Sequence, residues 1–184
     1  MSSTWAVVPS SLPAVIRRCY TCPSGRYRPS GRFRVNANHK LLDVWLLALC
    51  AECGETVKFT VMERTSVRRI PPDLLTRLHD NDLALTAELL LDPALRHRNN
   101  IALDWTGAWR LDADPAARDA SRDEAVEVTV RNTARIPVRP VRLIAEGLGL
   151  TRTRVETMLD EGRIVSADRL RGKLTGEFSF TVKR

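Results

Sequence analysis

The pattern of hydrophobic and polar positions predicts a β hairpin over residues 43–62. Residues 43–50 are almost continuously apolar, which is typical of a buried strand, and we expect Trp45 to pack in the core there. Residues 56–62 alternate Val or Phe with Thr or Lys, which is typical of a strand with one buried face. The turn between the two runs contains Gly54, which tolerates the positive φ that tight turns often need.

The middle of the chain changes to a helical pattern. Leucine spacing within residues 73–91 predicts two short helices, which the polar residues 80–82 separate. Residues 112–124 are polar, acidic and rich in Ala, and they show no apolar periodicity. We therefore expect 112–124 to be a linker or an exposed loop.

A second pair of helices is predicted near the C-terminal end. Apolar residues spaced three and four apart over 141–148 and 155–159 give each helix one apolar face, so the two helices must pack against each other. Gly147 and Gly149 favour the end of the first helix, and Thr151 is a suitable cap for the second. Strands are expected on either side of this pair, at residues 125–130, 164–165 and 177–182.

Charge is concentrated at the two ends of this 184-residue chain, whose formal net charge is +7. Residues 1–42 carry seven basic residues and no acid, and residues 131–184 carry twelve basic and six acidic residues. Basic regions of this kind favour anionic partners such as nucleic acid. No apolar run approaches the ~20 residues that a membrane span needs, and no secretory leader is visible. We expect a soluble cytoplasmic protein that does not bind membranes.

The four cysteines form two Cys-x-x-Cys pairs, Cys19 with Cys22 and Cys50 with Cys53. A two-residue spacer lets both thiolates of a pair reach one ion, and two such knuckles are typical of a structural Cys₄ zinc site. The second knuckle lies at the turn of the predicted hairpin, as in a zinc ribbon. The alternatives are two disulfides, which a reducing cytosol disfavours, a redox pair, or a site in which His39 replaces one thiolate.

Basic and aromatic residues alternate beside the knuckles. Tyr20, Tyr27 and Phe33 lie among arginines, an arrangement that suits stacking on unpaired bases with phosphate pairing alongside. The alternative is that the aromatic rings pack the small domain and the arginines are only solvated. The nucleic-acid-binding candidates of this region are Arg26, Arg28, Arg32 and Arg34.

Residues 33–46 carry a specific resemblance. Their core, Asn36-Ala37-Asn38 with Lys40 followed by Asp43-Val44-Trp45, resembles a bacterial domain-of-unknown-function family, number 1062. The similarity extends over much of the chain. The resemblance implies no particular activity.

Residues 138–182 resemble the S4-type RNA-binding domain. The similarity is carried by Leu143, Thr151-Arg152, Val155, Leu159 and Gly162-Arg163-Ile164. The Arg-Leu-Asp opening of that domain is missing, with Arg139 one position out of register, and Ser166-Ala167-Asp168 stands in place of its Val-Asn-Gly turn. The resemblance implies RNA binding, with Arg152 and Arg154 at a helix start where anions are favoured. Further basic candidates are Arg139, Arg142, Arg163, Arg171 and Lys173.

Together these elements predict an α+β protein. The expected domains are a small zinc-ribbon-like β domain at 1–70, a helical segment at 71–111, the acidic linker or loop at 112–124, and an S4-like αα-hairpin with strands at 125–184.

No catalytic residues are predicted, because the chain lacks a P-loop, a Gly-x-Ser-x-Gly elbow and a His-Glu-x-x-His motif. We expect a non-catalytic protein with structural Zn²⁺ that binds structured RNA, such as ribosomal or transfer RNA. The alternatives are a DNA-binding transcription regulator, since two short helices with Gly at the turn also fit a helix-turn-helix, and a protein-interaction module with a basic surface.

Overall fold

A computed structural model describes residues 2–114 and 125–183 of the chain. The chain divides into two compact units. Leu12–Thr106 forms the first, which contains all four cysteines and is called the cysteine unit here. Met1–Ser11 and Gly107–Arg184 together form the second, called the cysteine-free unit.

The cysteine unit is built on a five-stranded antiparallel sheet with three helices. Its elements are β2 (Ala14–Ile16), β3 (Arg26–Asn38), β4 (Leu41–Cys50), β5 (Thr56–Ser66), α1 (Pro72–His79), α2 (Leu83–Leu91), α3 (Pro93–Asn99) and β6 (Ala102–Asp104). The strands lie in the order β5-β4-β3-β2-β6. A 3-10 turn at Val67–Arg69 separates β5 from α1.

The predicted hairpin is confirmed as β4 and β5, but the prediction for Trp45 is wrong. Val44, Leu46 and Ala48 are fully buried, whereas Trp45 is only partly buried and lies on the opposite face of β4. An uninterrupted apolar run has no period that would reveal its buried face, so the sequence could not distinguish the two sides. β4 buries one face, and its other face carries Trp45.

The helices of the cysteine unit confirm the predicted pair and add α3. Asp82 caps α2, because its carboxylate accepts a hydrogen bond from the backbone N–H of Ala84 at 2.7 Å. The same carboxylate forms an ion pair with Nε of Arg77 at 2.6 Å. Asn99 of α3 then closes the edge of the sheet, because its side chain accepts from the N–H of Thr60 at 2.7 Å and donates to the same residue's carbonyl at 3.0 Å. The free edge of β5 is thereby paired locally by a side chain.

The cysteine-free unit has a mixed five-stranded sheet and two helices. Its elements are β1 (Ser2–Pro9), β7 (Trp109–Ala113), β8 (Val126–Arg131), α4 (Pro140–Leu148), α5 (Arg152–Asp160), β9 (Ile164–Val165) and β10 (Phe178–Val182). The strands lie in the order β7-β1-β8-β10-β9. β1 runs parallel to β8 and antiparallel to β7, so a strand near the start of the chain lies inside this sheet. The three strands and two helices predicted for this region are confirmed.

The core of the cysteine-free unit is centred on Trp5. Its ring is fully buried and meets Phe180 edge-on, with ring centroids 5.4 Å apart. α4 approaches this ring so closely that a Cβ at Gly147 would lie 2.2 Å from the Trp5 ring carbons. Gly147 therefore serves close packing, and Gly149, with a φ of +67°, ends the helix in the left-handed conformation.

These units divide the chain differently from the predicted domains at 1–70, 71–111, 112–124 and 125–184. β1 belongs with residues 107–184 because its hydrogen-bonding partners are β7 and β8. Within the predicted linker, Asp112 and Ala113 are part of β7, and residues 115–124 lie outside the described residues. Strand pairing between distant residues leaves no local signal in a sequence, so it could not be predicted here.

Candidate metal centre and basic surfaces

The two Cys-x-x-Cys knuckles share one backbone hydrogen bond. The N–H of Cys19 donates to the carbonyl of Ser24, and the N–H of Cys50 donates to the carbonyl of Glu55, both at 2.8 Å and both five residues on. The first knuckle lies between β2 and β3, and the second spans the end of β4 and its turn to β5. Antiparallel pairing of β3 with β4 brings the two knuckles together, with Tyr27 opposite Cys50.

The four sulfur atoms lie within 4.8 Å of one another. The Sγ atoms of Cys19 and Cys53 are 3.7 Å apart, and those of Cys22 and Cys50 are 3.5 Å apart. A disulfide needs about 2.05 Å, so these cysteines are free thiols, whereas the edge of a tetrahedron with metal–sulfur bonds of about 2.3 Å is about 3.8 Å. The arrangement could hold a metal ion through Cys19, Cys22, Cys50 and Cys53.

Hydrogen bonds favour the thiolate form at the first cysteine of each knuckle. The neighbouring Tyr27 hydroxyl and then the N–H of Thr21, which donates to the Cys19 sulfur at 3.4 Å, lower the pKa of Cys19 to about 6. The N–H of Cys53 is the main cause that lowers the pKa of Cys50. A thiolate that accepts hydrogen bonds is stabilised in its charged form, which is the form that binds a metal.

At the second cysteine of each knuckle, the pKa is raised instead of lowered. The backbone N–H of Ser24 lowers the pKa of Cys22, but burial and the neighbouring thiolates outweigh it and raise that pKa. In the same way, the N–H of Glu55 acts against burial and the other three sulfurs, which raise the pKa of Cys53 to about 12. Four thiolates this close repel each other, and a cation among them removes that penalty.

Two tyrosines lie beside the cluster in different settings. Tyr27 is fully buried against Cys19, and that thiolate raises the pKa of Tyr27 to about 12. Tyr20 is 80% exposed within the first knuckle, where Arg17 donates to its hydroxyl at 2.7 Å. The aromatic rings near the knuckles were predicted either to pack in the core or to be available for stacking. Tyr27 packs in the core, whereas Tyr20 lies at the surface.

The N-terminal basic candidates all lie on β3, but they differ in whether their side chains have partners. Arg26 forms an ion pair with Asp104, and Arg28 donates to the carbonyl of Ala51 at 3.1 Å. Arg32 and Arg34 are exposed and form no ion pair with another described residue.

The C-terminal basic candidates surround the helix pair. Arg139 and Arg142 lie at the start of α4, and Arg152 and Arg154 occupy the first turn of α5, where the Thr151 side chain accepts from the Arg154 N–H at 3.2 Å. Arg163 forms an ion pair with Glu161 at 3.6 Å. The two remaining candidates, Arg171 and Lys173, are exposed between β9 and β10.

A mixed aromatic and basic surface on the cysteine unit was not predicted from the sequence. Strand register puts Arg34, Trp45 and Thr60 side by side on the partly exposed face of the sheet. On the same face Leu47 lies opposite Lys58, whose ammonium is 5.7 Å from the centre of the Trp45 ring. The alternation of β5 was a signal for Lys58, but the apolar run of β4 concealed the orientation of Trp45.

Comparison with known proteins gives one match. The sequence model of a family described as "Protein of unknown function (DUF1062)" covers residues 35–170. The match includes Cys50 and Cys53 and begins after Cys19 and Cys22. No curated protein and no solved structure matches the chain. The zinc-ribbon and S4 resemblances are not confirmed by these comparisons and stay predictions. None of the described helices is long and apolar enough to span a membrane.

Proposed function

This chain belongs to the DUF1062 family of proteins of unknown function, and for this member we propose a non-catalytic, zinc-containing protein that binds structured RNA. Two parts of the molecule would have separate roles. The cysteine cluster would hold the metal, and the helix pair of the cysteine-free unit would contact RNA.

Zinc is the metal that the donor set favours. Four thiolates with Sγ–Sγ distances of 3.5 and 3.7 Å suit tetrahedral Zn²⁺, which cysteine sulfur binds at about 2.3 Å. A complete set of four protein ligands leaves no open position for substrate, so the role of the ion would be structural. Thiols kept free for a metal also suit a reducing compartment, which supports the cytoplasm as the site of action.

The charge distribution of α5 is the observation that carries the RNA part. Arg152 and Arg154 lie in its first turn, which contains no acid, and its last turn contains no base. A helix is stabilised by acids at its start and bases at its end, so α5 is charged against its own dipole. Both arginines are exposed and form no ion pair with a described residue. Such a helix start is suited to an anion from outside the chain.

Further cations would extend the contact. Arg139 and Arg142 lie near the start of α4, and Arg171 and Lys173 are exposed on another segment of the same unit. Arg163 would contribute less because Glu161 already pairs with it. Side chains of this kind contact phosphates and the sugar edge, so RNA would be recognised by shape more than by sequence.

The test is a salt titration of binding to a hairpin RNA and to a duplex DNA of equal length. Each phosphate contact contributes about one unit to the slope of log K against log salt, so Arg152→Ala should flatten the RNA slope by about one. Arg110→Ala is the control, because Arg110 is an exposed residue of β7 outside the candidate set.

Three outcomes would contradict the proposal. Identical slopes for wild type and Arg152→Ala would show that Arg152 touches no phosphate. Tighter binding to duplex DNA would favour the transcription regulator. Failure to bind either nucleic acid would favour the protein-interaction module.

A further inference from the structure

The partly exposed face of the cysteine-unit sheet has the composition of a binding surface. We call the Trp45 face the side of the sheet on which strand register places the neighbouring residues Arg28, Arg34, Trp45, Leu47, Leu49, Lys58 and Thr60, together with Asp43 and Thr56 at its ends. The apolar members come from β4, which lies between β3 and β5, and Leu49 is 41% exposed. The basic members come from the neighbouring strands β3 and β5 and are exposed. An apolar row is thus bordered by cations on both sides.

The balance of charge on this face is positive. Asp43 is the acidic residue of β4, and its carboxylate accepts a hydrogen bond from the N–H of Arg64 at 2.7 Å. Arg34 forms no ion pair with a described residue, and Lys58 lies over the Trp45 ring. The cations that border Trp45 are therefore not neutralised by carboxylates of the described residues.

The positive charge of the Trp45 face and the hydrogen bonds at the edge of β5 indicate which kind of ligand this face suits. A second copy of the same face would bring like charges together, which opposes self-association through it. Addition of a strand at the β5 edge is blocked, because Asn99 pairs with both backbone groups of Thr60 and Arg98 donates to the carbonyl of Val61 at 2.8 Å. The surface suits a ligand that is flat, apolar and anionic together, which describes unpaired bases on a phosphate chain.

We propose that the Trp45 face binds a single-stranded segment of RNA, with an unpaired base stacked on Trp45 and phosphates paired with Arg34 and Lys58. The choice of RNA over DNA rests on the proposed function. Lys58 lies over the ring in the free protein, and an exposed cation–π contact of this kind is weaker than a base stack. A base can therefore displace the ammonium, which then meets a phosphate.

The experiment measures binding of a ten-nucleotide oligouridine, which has no stable secondary structure, by fluorescence anisotropy. Trp45→Leu keeps apolar volume but removes the stacking face, and it should weaken binding by roughly 5- to 150-fold. Trp45→Phe should restore most of the affinity. Trp109→Leu is the matched control, since Trp109 is another partly buried tryptophan on β7 of the cysteine-free unit.

Lys58→Gln is a second test that leaves the ring and the sheet intact. It should flatten the salt slope of oligouridine binding by about one, because one phosphate contact is lost. If Trp45→Leu does not fold, the salt slope of Lys58→Gln decides the matter. Wild-type affinity in a folded Trp45→Leu, or a wild-type salt slope in Lys58→Gln, would overturn the inference, and so would tighter binding of a ten-nucleotide oligothymidine, which would make the ligand DNA.

Two probes separate this inference from the proposed function. Arg152→Ala should weaken hairpin RNA binding and leave oligouridine binding unchanged. If Trp45→Leu does not change oligouridine binding, only the inference about the Trp45 face is overturned. If Arg152→Ala does not change hairpin RNA binding, only the proposed role of α5 is overturned.

Discussion

The two units contain sheets of the same size but assemble them in different ways. In the cysteine unit, β2, β3, β4 and β5 are neighbours in both sequence and space. The first knuckle lies between β2 and β3, the second lies at the turn from β4 to β5, and their four sulfur atoms lie close together. In the cysteine-free unit, β1 lies between strands that follow it by about 100 residues, and the core is held by Trp5 and Phe180. Local pairing beside a cysteine cluster that could hold a metal ion and distant pairing around an aromatic core are thus two solutions within one chain.

The largest effect should come from removing one metal ligand. Cys22→Ser should lose the single zinc per chain and unfold the knuckle end of the cysteine unit, because apparent zinc-binding free energies of about 10–16 kcal/mol in zinc-finger peptides are folding free energy. The cysteine-free unit should keep its structure. Elemental analysis and hydrogen exchange resolved by segment measure both effects.

Thr21→Ser, an exposed substitution within the same knuckle, is the control for the cysteine variant. It should keep zinc and native exchange in β3 and β4. A wild-type protein that contains no zinc after purification without chelator would contradict the metal assignment. Loss of protection in β8 and β10 of Cys22→Ser would contradict the independence of the two units.

Gly147→Ala should have the converse effect and weaken only the cysteine-free unit. Ala in a helix is favoured over Gly by about 0.5–1 kcal/mol, but its Cβ would overlap the buried Trp5 ring, and overpacking costs typically about 1–3 kcal/mol. We expect a net loss of stability with one zinc still bound, measured by denaturant unfolding and elemental analysis.

Gly176→Ala provides the comparison, because a Cβ there meets nothing within 4 Å. It should leave stability nearly unchanged. Equal stability of Gly147→Ala and wild type would show that the Trp5 ring can move, and the close packing of α4 on β1 would then be wrong.

The smallest effect is a gain in stability. Arg152→Glu puts an acid at the positive end of α5 and should stabilise the cysteine-free unit by about 0.3–1 kcal/mol at low salt, with the gain fading as salt rises. The same variant should lose hairpin RNA binding. Thermal unfolding at two salt concentrations checks the sign, and destabilisation at low salt would show that Arg152 has a structural partner.

Elements with local signals were predictable from the sequence. The hairpin of β4 and β5, the helices at 73–91, and the helix pair capped by Thr151 follow from periodicity and capping residues. The four cysteines were identified by spacing alone, and their sulfur atoms lie close together. These features depend on residues within a few positions of each other or on a side chain with one dominant chemistry.

Features that depend on distant partners were not predictable. No strand was predicted at β3, because Pro29 and Gly31 are residue types typical of turns, whereas here they lie at a bulge within one long strand. The placement of β1 depends on residues that follow it by more than 100 positions. The exposed side of Trp45 depends on which face of the sheet the core covers. Each of these is a tertiary property that local sequence does not encode.

The position of β1 also determines the order in which the polypeptide can fold during synthesis. Ribosomes add about 5–20 residues per second, so roughly 5–20 s separate the synthesis of β1 from that of β7. In this interval every strand and helix of the cysteine unit is made, and that unit can fold while β1 still has no strand to pair with. The nascent chain therefore carries Trp5 unprotected until the last third of the protein emerges.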